Sequence, residues 1–194
     1  MRVLFADCET TGKIDWKADN DAPQQPRIVQ LGAILAAGPT EPLCRLELII
    51  KPEGWTIPEE AAAIHGITTE IAASKGVPIT AAMRIFGELC TIADTIVAYN
   101  ADFDIRMLNI EADRNVTWRP WIKLQVVDPM HICTSICQLP GNYGDYKWPK
   151  LKEAYEKVIG KPLAQTHTAL SDVRATATLF YKLLEDGLIP KPKP

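Results

Sequence analysis

The feature that most constrains the fold is an uninterrupted apolar run near the start of the sequence. Residues 3–6 are all apolar, and the acidic residues Asp7 and Glu9 come directly after them. A strand with one face in water alternates between apolar and polar residues, whereas a buried strand is apolar throughout. We therefore predict a buried β-strand over residues 2–8, with acids at its end.

The rest of the sequence alternates between strand-like and helix-like segments, and this order indicates the fold class. Further strands are predicted at residues 28–36, 44–51, 95–99 and 125–128, and the first two of these form a hairpin. Helices are predicted at 58–65, 80–93, 130–138, 149–159 and 170–185, and one more follows residues 100–104. Residues 13–27 are polar and predict a surface loop. We expect a single α/β domain at 1–188, a mixed sheet flanked by helices, and a loose tail at 189–194.

Composition and charge narrow the class of protein. The apolar runs are too short to cross a bilayer and the start does not resemble a signal peptide, so we expect a cytoplasmic protein without membrane contact. The five cysteines are irregularly spaced, which is typical of reduced thiols, and His131, Cys133 and Cys137 lack a fourth zinc ligand nearby. The net charge of −3 argues against a broad basic surface for nucleic acid. It does not exclude a nuclease, because cations held by carboxylates reverse the local charge.

Asp7 and Glu9 are the first candidates for a chemical site. They lie two positions apart in the predicted strand, so their side chains share one face with Val3 and Phe5. Two carboxylates on a buried face repel each other unless cations lie between them. The alternative is that both lie beyond the end of the strand, in solvent, and spacing alone does not decide between the two.

Three later residues are candidates for the same site. Asp104 falls in the first turn of a helix after a strand, although capping of that helix would also explain Asp104 or its neighbour Asp102. Asp172 lies on the apolar stripe of the last helix, where an acid is costly unless it has a partner. A buried Asp bonded to Thr or to backbone donors is the alternative. His167 comes shortly before that helix, and it is a candidate only because these acids are expected nearby.

Three segments together match the motifs of a known family, in order and at suitable separations. Residues 7–12 (Asp-Cys-Glu-Thr-Thr-Gly), 99–104 (Tyr-Asn-Ala-Asp-Phe-Asp) and 167–172 (His-Thr-Ala-Leu-Ser-Asp) resemble the three motifs of the DEDDh 3′→5′ exonucleases. That group contains bacterial proofreading subunits, ribonuclease T and oligoribonuclease. Shorter matches lie at 27–32 and 57–68. The resemblance extends over nearly the whole chain and implies a ribonuclease-H-like fold.

The resemblance implies a site for two divalent metal ions, Mg²⁺ or Mn²⁺, with oxygen ligands. Asp7 would bridge both ions, Glu9 and Asp172 would complete the ion that holds the attacking water, and Asp104 would hold the second ion. His167 would accept the proton of that water. Hydrolysis of the last phosphodiester would release a 5′-mononucleotide.

The resemblance also assigns residues to the 3′ end of the substrate. Thr10, Thr11 and Gly12 would lie near the terminal sugar, and Asn100 belongs to the same group of contacts. Ile64, His65 and Phe103 would pack on the terminal bases, which favours single-stranded or frayed ends. For Phe103 the alternative is core packing, and for His65 it is a helix C-terminus that favours a cation.

One position departs from the family pattern, and several properties stay open. Tyr99 stands where the family commonly has His, which would affect substrate contacts or local packing rather than chemistry. Loss of one of the four acids or of the histidine would favour a non-catalytic nucleic-acid-binding module. All five residues are present, which favours an enzyme. Ribonuclease-H-like endonucleases and integrases space their carboxylates differently. DNA or RNA as substrate, an RNA-trimming role, a polymerase partner and the oligomeric state stay undecided, although the short C-terminal segment favours a free-standing nuclease.

Overall fold

The computed structural model describes residues 1–40, 42–115, 118–142, 144–164 and 167–189. The strands are β1 (Val3–Thr10), β2 (Ile28–Ala36), β3 (Pro42–Ile49), β4 (Thr95–Val97) and β5 (Gln125–Val127). The helices are α1 (Glu59–His65), α2 (Thr69–Lys75), α3 (Ile79–Ile92), α4 (Ala101–Asn115), α5 (Pro129–Cys137), α6 (Leu151–Ile159) and α7 (Ala169–Glu185). All but the first residue of the expected loose tail lies outside the described residues.

The strands form one mixed sheet in the order β3-β2-β1-β4-β5, which confirms the predicted fold class. Strand β1 runs antiparallel to β2 and parallel to β4, and β4 runs parallel to β5. The three parallel strands therefore end at the same edge of the sheet, and Asp7 and Glu9 lie at that edge. Polar groups at the carboxyl ends of such strands are where sites in α/β sheets collect.

The apolar run that opens the sequence is the centre of this sheet, and helices cover both of its faces. On one face Leu4, Ala6 and Cys8 pack with residues of α3 and α4. On the other face Val3 and Phe5 pack with residues of α5, α6 and α7. A strand buried on both faces has no wet side, which explains why its sequence does not alternate.

The structure differs from the sequence prediction at several boundaries. Strand β1 extends to Thr10, because Glu9 pairs with Gln30 of β2, so Glu9 lies inside the strand. Strand β3 begins at Pro42 rather than at residue 44. Helix α2 has no counterpart in the prediction; it begins after Thr68, whose side chain accepts a hydrogen bond from the Ile71 N–H at 3.3 Å. Among the described residues, no helix combines the length and the apolar character needed to span a membrane.

Candidate active site

Asp7 and Glu9 lie within the sheet. This excludes the alternative in which both lie beyond the end of the strand, in solvent. In the ladder with β2, Asp7 is opposite Gly32 and Glu9 is opposite Gln30. Both side chains are half-buried on the face that α7 covers, together with Val3 and Phe5. The two carboxylates therefore do not extend freely into solvent beyond the strand.

Helix α7 brings a third carboxylate to this pair. Asp172 lies in the first turn of α7, next to buried residues of the apolar stripe. Carboxylate oxygens of Asp7, Glu9 and Asp172 all lie within 4.8 Å of one another, and the Ser171 hydroxyl donates to Asp172 Oδ1 at 3.3 Å. Helix α7 thus places its half-buried acid against two other acids, and protons or a cation would relieve the repulsion among them.

Asp104 supplies a fourth carboxylate from the opposite side of β1. Its side chain is only 3% exposed, and its Oδ1 accepts a hydrogen bond from the Cys8 N–H at 2.9 Å. Asp102, its neighbour in the second motif, is exposed. Helix capping alone therefore does not explain Asp104, because its carboxylate points into the sheet at the strand that carries Asp7 and Glu9.

The electrostatics of these four acids reflect their burial and their mutual repulsion. Burial, and then Asp104, Asp172 and Glu9, raise the pKa of Asp7 well above its usual range. Burial and the charge of Asp172 raise the pKa of Glu9 to about 7. Burial raises the pKa of Asp104 to about 8, against the lowering effect of its bonds with Cys8. These carboxyl groups therefore hold protons to a higher pH than free carboxyl groups do.

A divalent cation fits this set of donors. In the part of the chain that the structure describes, the group offers carboxylate oxygens, which are the ligands that hard divalent cations prefer. Cation binding would remove the repulsion that raises the carboxyl pKa values. Among the described residues, Asp7, Glu9 and Asp172 are the residues whose ligand atoms lie close enough together to hold an ion as a group.

His167 comes two residues before α7 and is exposed to solvent. Its backbone is left-handed, with a φ of 49°. Its imidazole is outside the group of carboxylates within 4.8 Å of one another. The structure therefore places His167 near the start of the helix that carries Asp172, on the accessible side.

The first of the two groups of candidate substrate contacts follows the end of β1. The Thr10 hydroxyl donates to the Gly12 carbonyl at 2.8 Å, which folds the chain back on itself. The Thr11 hydroxyl accepts from the Arg27 N–H at 2.9 Å, so this hydroxyl already has a partner in the protein. Gly12 is exposed, and an added Cβ would meet no atom within 4 Å. The surface at this point is open to a ligand.

The second group combines α1 with the second motif. Ile64 is 62% exposed, which is unusual for a large apolar side chain, whereas His65 is only 5% exposed. The His65 Nδ1 accepts from the Ile67 N–H at 3.1 Å, and its Nε2 is buried without a hydrogen-bond partner. Burial lowers the pKa of His65, against an opposing effect of the Thr10 backbone, so a cation at the end of α1 does not explain this residue.

Phe103 and Asn100 differ in their surroundings. Phe103 is half-buried and packs against the core cluster on the α3 and α4 side, as its core-packing alternative predicts. Asn100 is exposed and has a left-handed backbone, with a φ of 65°. Its N–H donates to Asp128 Oδ1 at 3.1 Å.

Asp128 is a residue of this region that the sequence analysis missed. It accepts hydrogen bonds from the N–H groups of Asn100, Ala101 and Met130, at 3.1, 2.9 and 2.8 Å. It therefore caps α5 and also holds the start of α4, the helix that carries Asp104. The signal was present, because an Asp directly before a Pro at the start of a helix is a common N-cap.

Comparison with known proteins places these residues in a family. The family model RNase_T, which describes exonucleases, matches residues 4–180 and so includes all five candidate catalytic positions. The chain belongs to the DEDD exonuclease family. The chain is also 31% identical over 191 residues to the uncharacterized exonuclease CP81 of Escherichia phage 186, covering 95% of this chain and 89% of that protein.

Two further similarities concern parts of longer proteins. The DNA polymerase III subunit epsilon of Rickettsia prowazekii is 37% identical over 112 residues, which is 57% of this chain and 44% of that subunit. Among solved structures, E. coli Exonuclease I in complex with a dA16 oligonucleotide matches with a TM-score of 0.75 and 22% identity. This match covers 96% of our DEDD exonuclease and 42% of the Exonuclease I chain, and it confirms the ribonuclease-H-like exonuclease fold.

Proposed function

We propose that this protein is a 3′→5′ exonuclease that removes mononucleotides from single-stranded or frayed ends by a two-metal mechanism. The observation that supports it most is the group formed by Asp7, Glu9 and Asp172, whose carboxylate oxygens lie within 4.8 Å of one another. Asp104 lies buried on the other side of the same strand. A group of acids whose pKa values are raised by burial and by one another is more typical of a functional site than of a structural one.

Each acid has a proposed role. Asp7 would be a ligand of both ions, Glu9 and Asp172 would be ligands of one, and Asp104 would be a ligand of the other. When bound, the ions would supply an activated water and stabilise the charge on the departing 3′ oxygen. The half-buried carboxylates would hold the ions at the end of β1, and the exposed His167 would accept a proton from the attacking water.

The residues around this group hold the 3′ end of the strand. Thr10, Thr11 and Gly12 contact the terminal sugar, and Asn100 and Phe103 approach from the start of α4. Exposed Ile64 packs on the terminal base, because a large apolar side chain in solvent gains by covering a base. The Nδ1 of His65 accepts from the Ile67 N–H, so the proton of the neutral ring is on Nε2, and this buried Nε2–H is the donor that His65 offers to the substrate.

Similarity to a polymerase subunit and to an oligonucleotide-bound nuclease favours DNA over RNA as the substrate. A polymerase partner remains a second part of the proposal, since the relative with that association shares only 112 aligned residues with this chain. A ribonuclease that trims RNA would have the same carboxylates. The substrate test below separates the two polymers.

The proposal is tested with 5′-labelled single-stranded DNA, the matching RNA and a mismatched duplex, each with Mg²⁺, Mn²⁺ or EDTA. We expect a ladder of products that shorten by one nucleotide from the 3′ end, with single-stranded DNA degraded fastest and no products in EDTA. Asp104→Asn should lose this activity and Asp102→Asn should retain it, because Asp104 is buried at the site and Asp102 is exposed. Shortening in EDTA, internal cleavage, or equal loss in both variants would contradict the proposal.

His167 is tested separately, because its role is proton transfer rather than metal binding. His167→Ala should bind Mn²⁺ as the original protein does and lose most of its turnover, since general bases contribute about 10²–10⁴-fold. Calorimetric titration with Mn²⁺ and the rate of strand shortening give the two results. Unchanged turnover would assign the base to another group.

A further inference from the structure

Gln30 of β2 is a buried polar residue to which the mechanism above gives no task. Its side chain is 5% exposed, and in the ladder it lies opposite Glu9. A buried amide needs hydrogen-bond partners, because an unsatisfied one costs free energy of folding. The partner of Gln30 therefore shows what this residue does.

The amide oxygen of Gln30 holds the start of α7. Its Oε1 accepts a hydrogen bond from the Ala169 N–H at 2.9 Å, in a buried position, and 139 residues separate the two along the chain. The first N–H groups of a helix have no partner inside the helix and must find one elsewhere. The Thr168 hydroxyl accepts a hydrogen bond from the Ser171 N–H at 3.3 Å, and Gln30 accepts one from the N–H of Ala169, the first residue of the helix.

A second residue of β2 brings the helix close to the strand at the same place. A Cβ added to Gly32 would lie 2.7 Å from the Ala169 carbonyl carbon and 2.8 Å from the Leu170 nitrogen. The backbone of α7 thus rests directly on the sheet at Gly32, which lies opposite Asp7. Gly32 permits the close approach, and the hydrogen bond from Ala169 to Gln30 fixes its position.

The other end of the Gln30 amide has a weaker contact. Its Nε2 lies 3.4 Å from Oε1 of Glu47, an exposed residue of the edge strand β3. This long contact lies on the side of Gln30 that faces away from β1, because β2 lies between β1 and β3. The two ends of one amide can therefore be tested independently.

We infer that Gln30 is a positioning residue for the nuclease site. Gln30 holds Ala169, the first residue of α7, against β2. It thereby sets how far Asp172 of α7 and the preceding His167 lie from the two acids of β1, Asp7 and Glu9. The inference rests on the proposed function. Groups that orient metal ligands commonly change metal affinity or activity by about 10–100-fold when they are altered.

Three variants separate the hydrogen bond from simple packing. Gln30→Met keeps the length of the side chain and has only a weak acceptor, so the Ala169 N–H loses its partner. Gln30→Glu keeps an acceptor oxygen at the same position and serves as the conservative rescue. Glu47→Gln changes the contact at the other end of the amide and is the matched control.

The measurements are the kinetics of oligonucleotide shortening in Mn²⁺, calorimetric titration with Mn²⁺, and hydrogen exchange of the Ala169 amide by NMR. For Gln30→Met we expect kcat to fall about tenfold or more with KM within about twofold, and Mn²⁺ affinity to fall. The Ala169 amide should exchange faster, while strand β4 keeps its protection. Gln30→Glu should recover most of the turnover, and Glu47→Gln should match the original protein.

Two results would overturn the inference. One is fast exchange of the Ala169 amide in Gln30→Met together with turnover and Mn²⁺ affinity within twofold of the original protein. The other is a loss in Gln30→Glu as large as in Gln30→Met, which would show that an acceptor oxygen for the Ala169 N–H is not what the site requires of Gln30. An original protein that binds Mn²⁺ but does not shorten any strand would contradict the proposed function instead, and the Mn²⁺ affinity of the variants would still test Gln30.

Discussion

Glu9 and Asp104 have carboxyl groups that titrate near neutrality in the folded chain. Burial and Asp172 raise the pKa of Glu9 from 4.5 to about 7, and burial raises that of Asp104 from 3.8 to about 8. Between the ordinary and the raised pKa the folded chain binds more protons than the unfolded chain. The free energy of unfolding therefore falls as pH rises through this window.

The first prediction concerns the metal-free protein. Its free energy of unfolding in EDTA should be higher at pH 5 than at pH 8, and urea denaturation at a series of pH values measures it. Asp104→Asn should flatten the upper part of this profile, because it removes a carboxyl group whose pKa burial raises to about 8. A metal-free stability that rises steadily from pH 5 to pH 8 would contradict the assigned direction of these pKa shifts.

Tyr99 stands at the position where the family commonly has His, and the structure gives it a packing role. Its hydroxyl donates to the Pro149 carbonyl at 2.8 Å, which ties the segment before α6 to the end of β4. Tyr99→Phe should lower the free energy of unfolding by about 1 kcal/mol, the usual net contribution of one hydrogen bond. Thermal unfolding and turnover are measured for Tyr99→Phe and for the original protein, and turnover should be the same in both. A large loss of turnover without loss of stability would assign Tyr99 to substrate binding.

At the scale of elements, the start of β2 is bonded to α4 by a buried ion pair. The Arg27 guanidinium donates twice to Glu111, at 2.9 and 3.0 Å, and the Ile28 N–H donates to the same carboxylate at 3.0 Å. Glu111 is 1% exposed. This contact holds α4 against the sheet, and with it Asp104, which bonds to Cys8 of β1.

Glu111→Gln should therefore destabilise the protein by about 2–3 kcal/mol, because it leaves the half-buried Arg27 without its counterion. Arg119→Gln is the matched control, since it breaks the ion pair with Asp113 at the surface and should cost at most about 1 kcal/mol. Chemical denaturation of the two variants gives the difference. Equal losses would show that burial does not set the strength of the inner pair.

Much of the fold follows from patterns within single elements, and the rest depends on contacts between them. The apolar run before Asp7 and the stripe of α7 predict a buried strand and a packed helix, because their periodicity is local. Helix α2 was missed, because seven residues with one good cap give a weak pattern. The choice between Asp102 and Asp104 needed the structure, since burial rather than spacing distinguishes them. Gln30 could not be found from sequence, because a Gln in a strand has no pattern that identifies a partner 139 residues away.

At the scale of the whole molecule, the site joins the sheet to the helices on both of its faces. Asp7 and Glu9 belong to the sheet, Asp172 to α7 on one side and Asp104 to α4 on the other. A metal ion bound among them connects three elements that are distant in sequence. Because the unfolded chain does not present the site, metal binding as proposed would stabilise the fold as a whole.

We therefore predict that Mn²⁺ raises the unfolding temperature, and does so more at pH 8 than at pH 6, because ligand carboxylates must lose their protons first. An ion concentration about 100 times its Kd should add about 2.7 kcal/mol. Thermal scans with Mn²⁺ and with EDTA at the two pH values measure the effect. Asp7→Asn should remove most of it, and an equal gain at both pH values would contradict the titration of the site.

The long separation of β1 and α7 along the chain also bears on how the site forms during synthesis. At about 5–20 residues per second, a ribosome completes Asp172 roughly 10–30 seconds after Asp7. Until then the face of β1 that α7 shares with α5 and α6 is incompletely covered, and the bond between Gln30 and Ala169 closes a span of 139 residues. A partly synthesised chain carries Asp7, Glu9 and Asp104 without Asp172. The four acids therefore come together only after α7 has been synthesised.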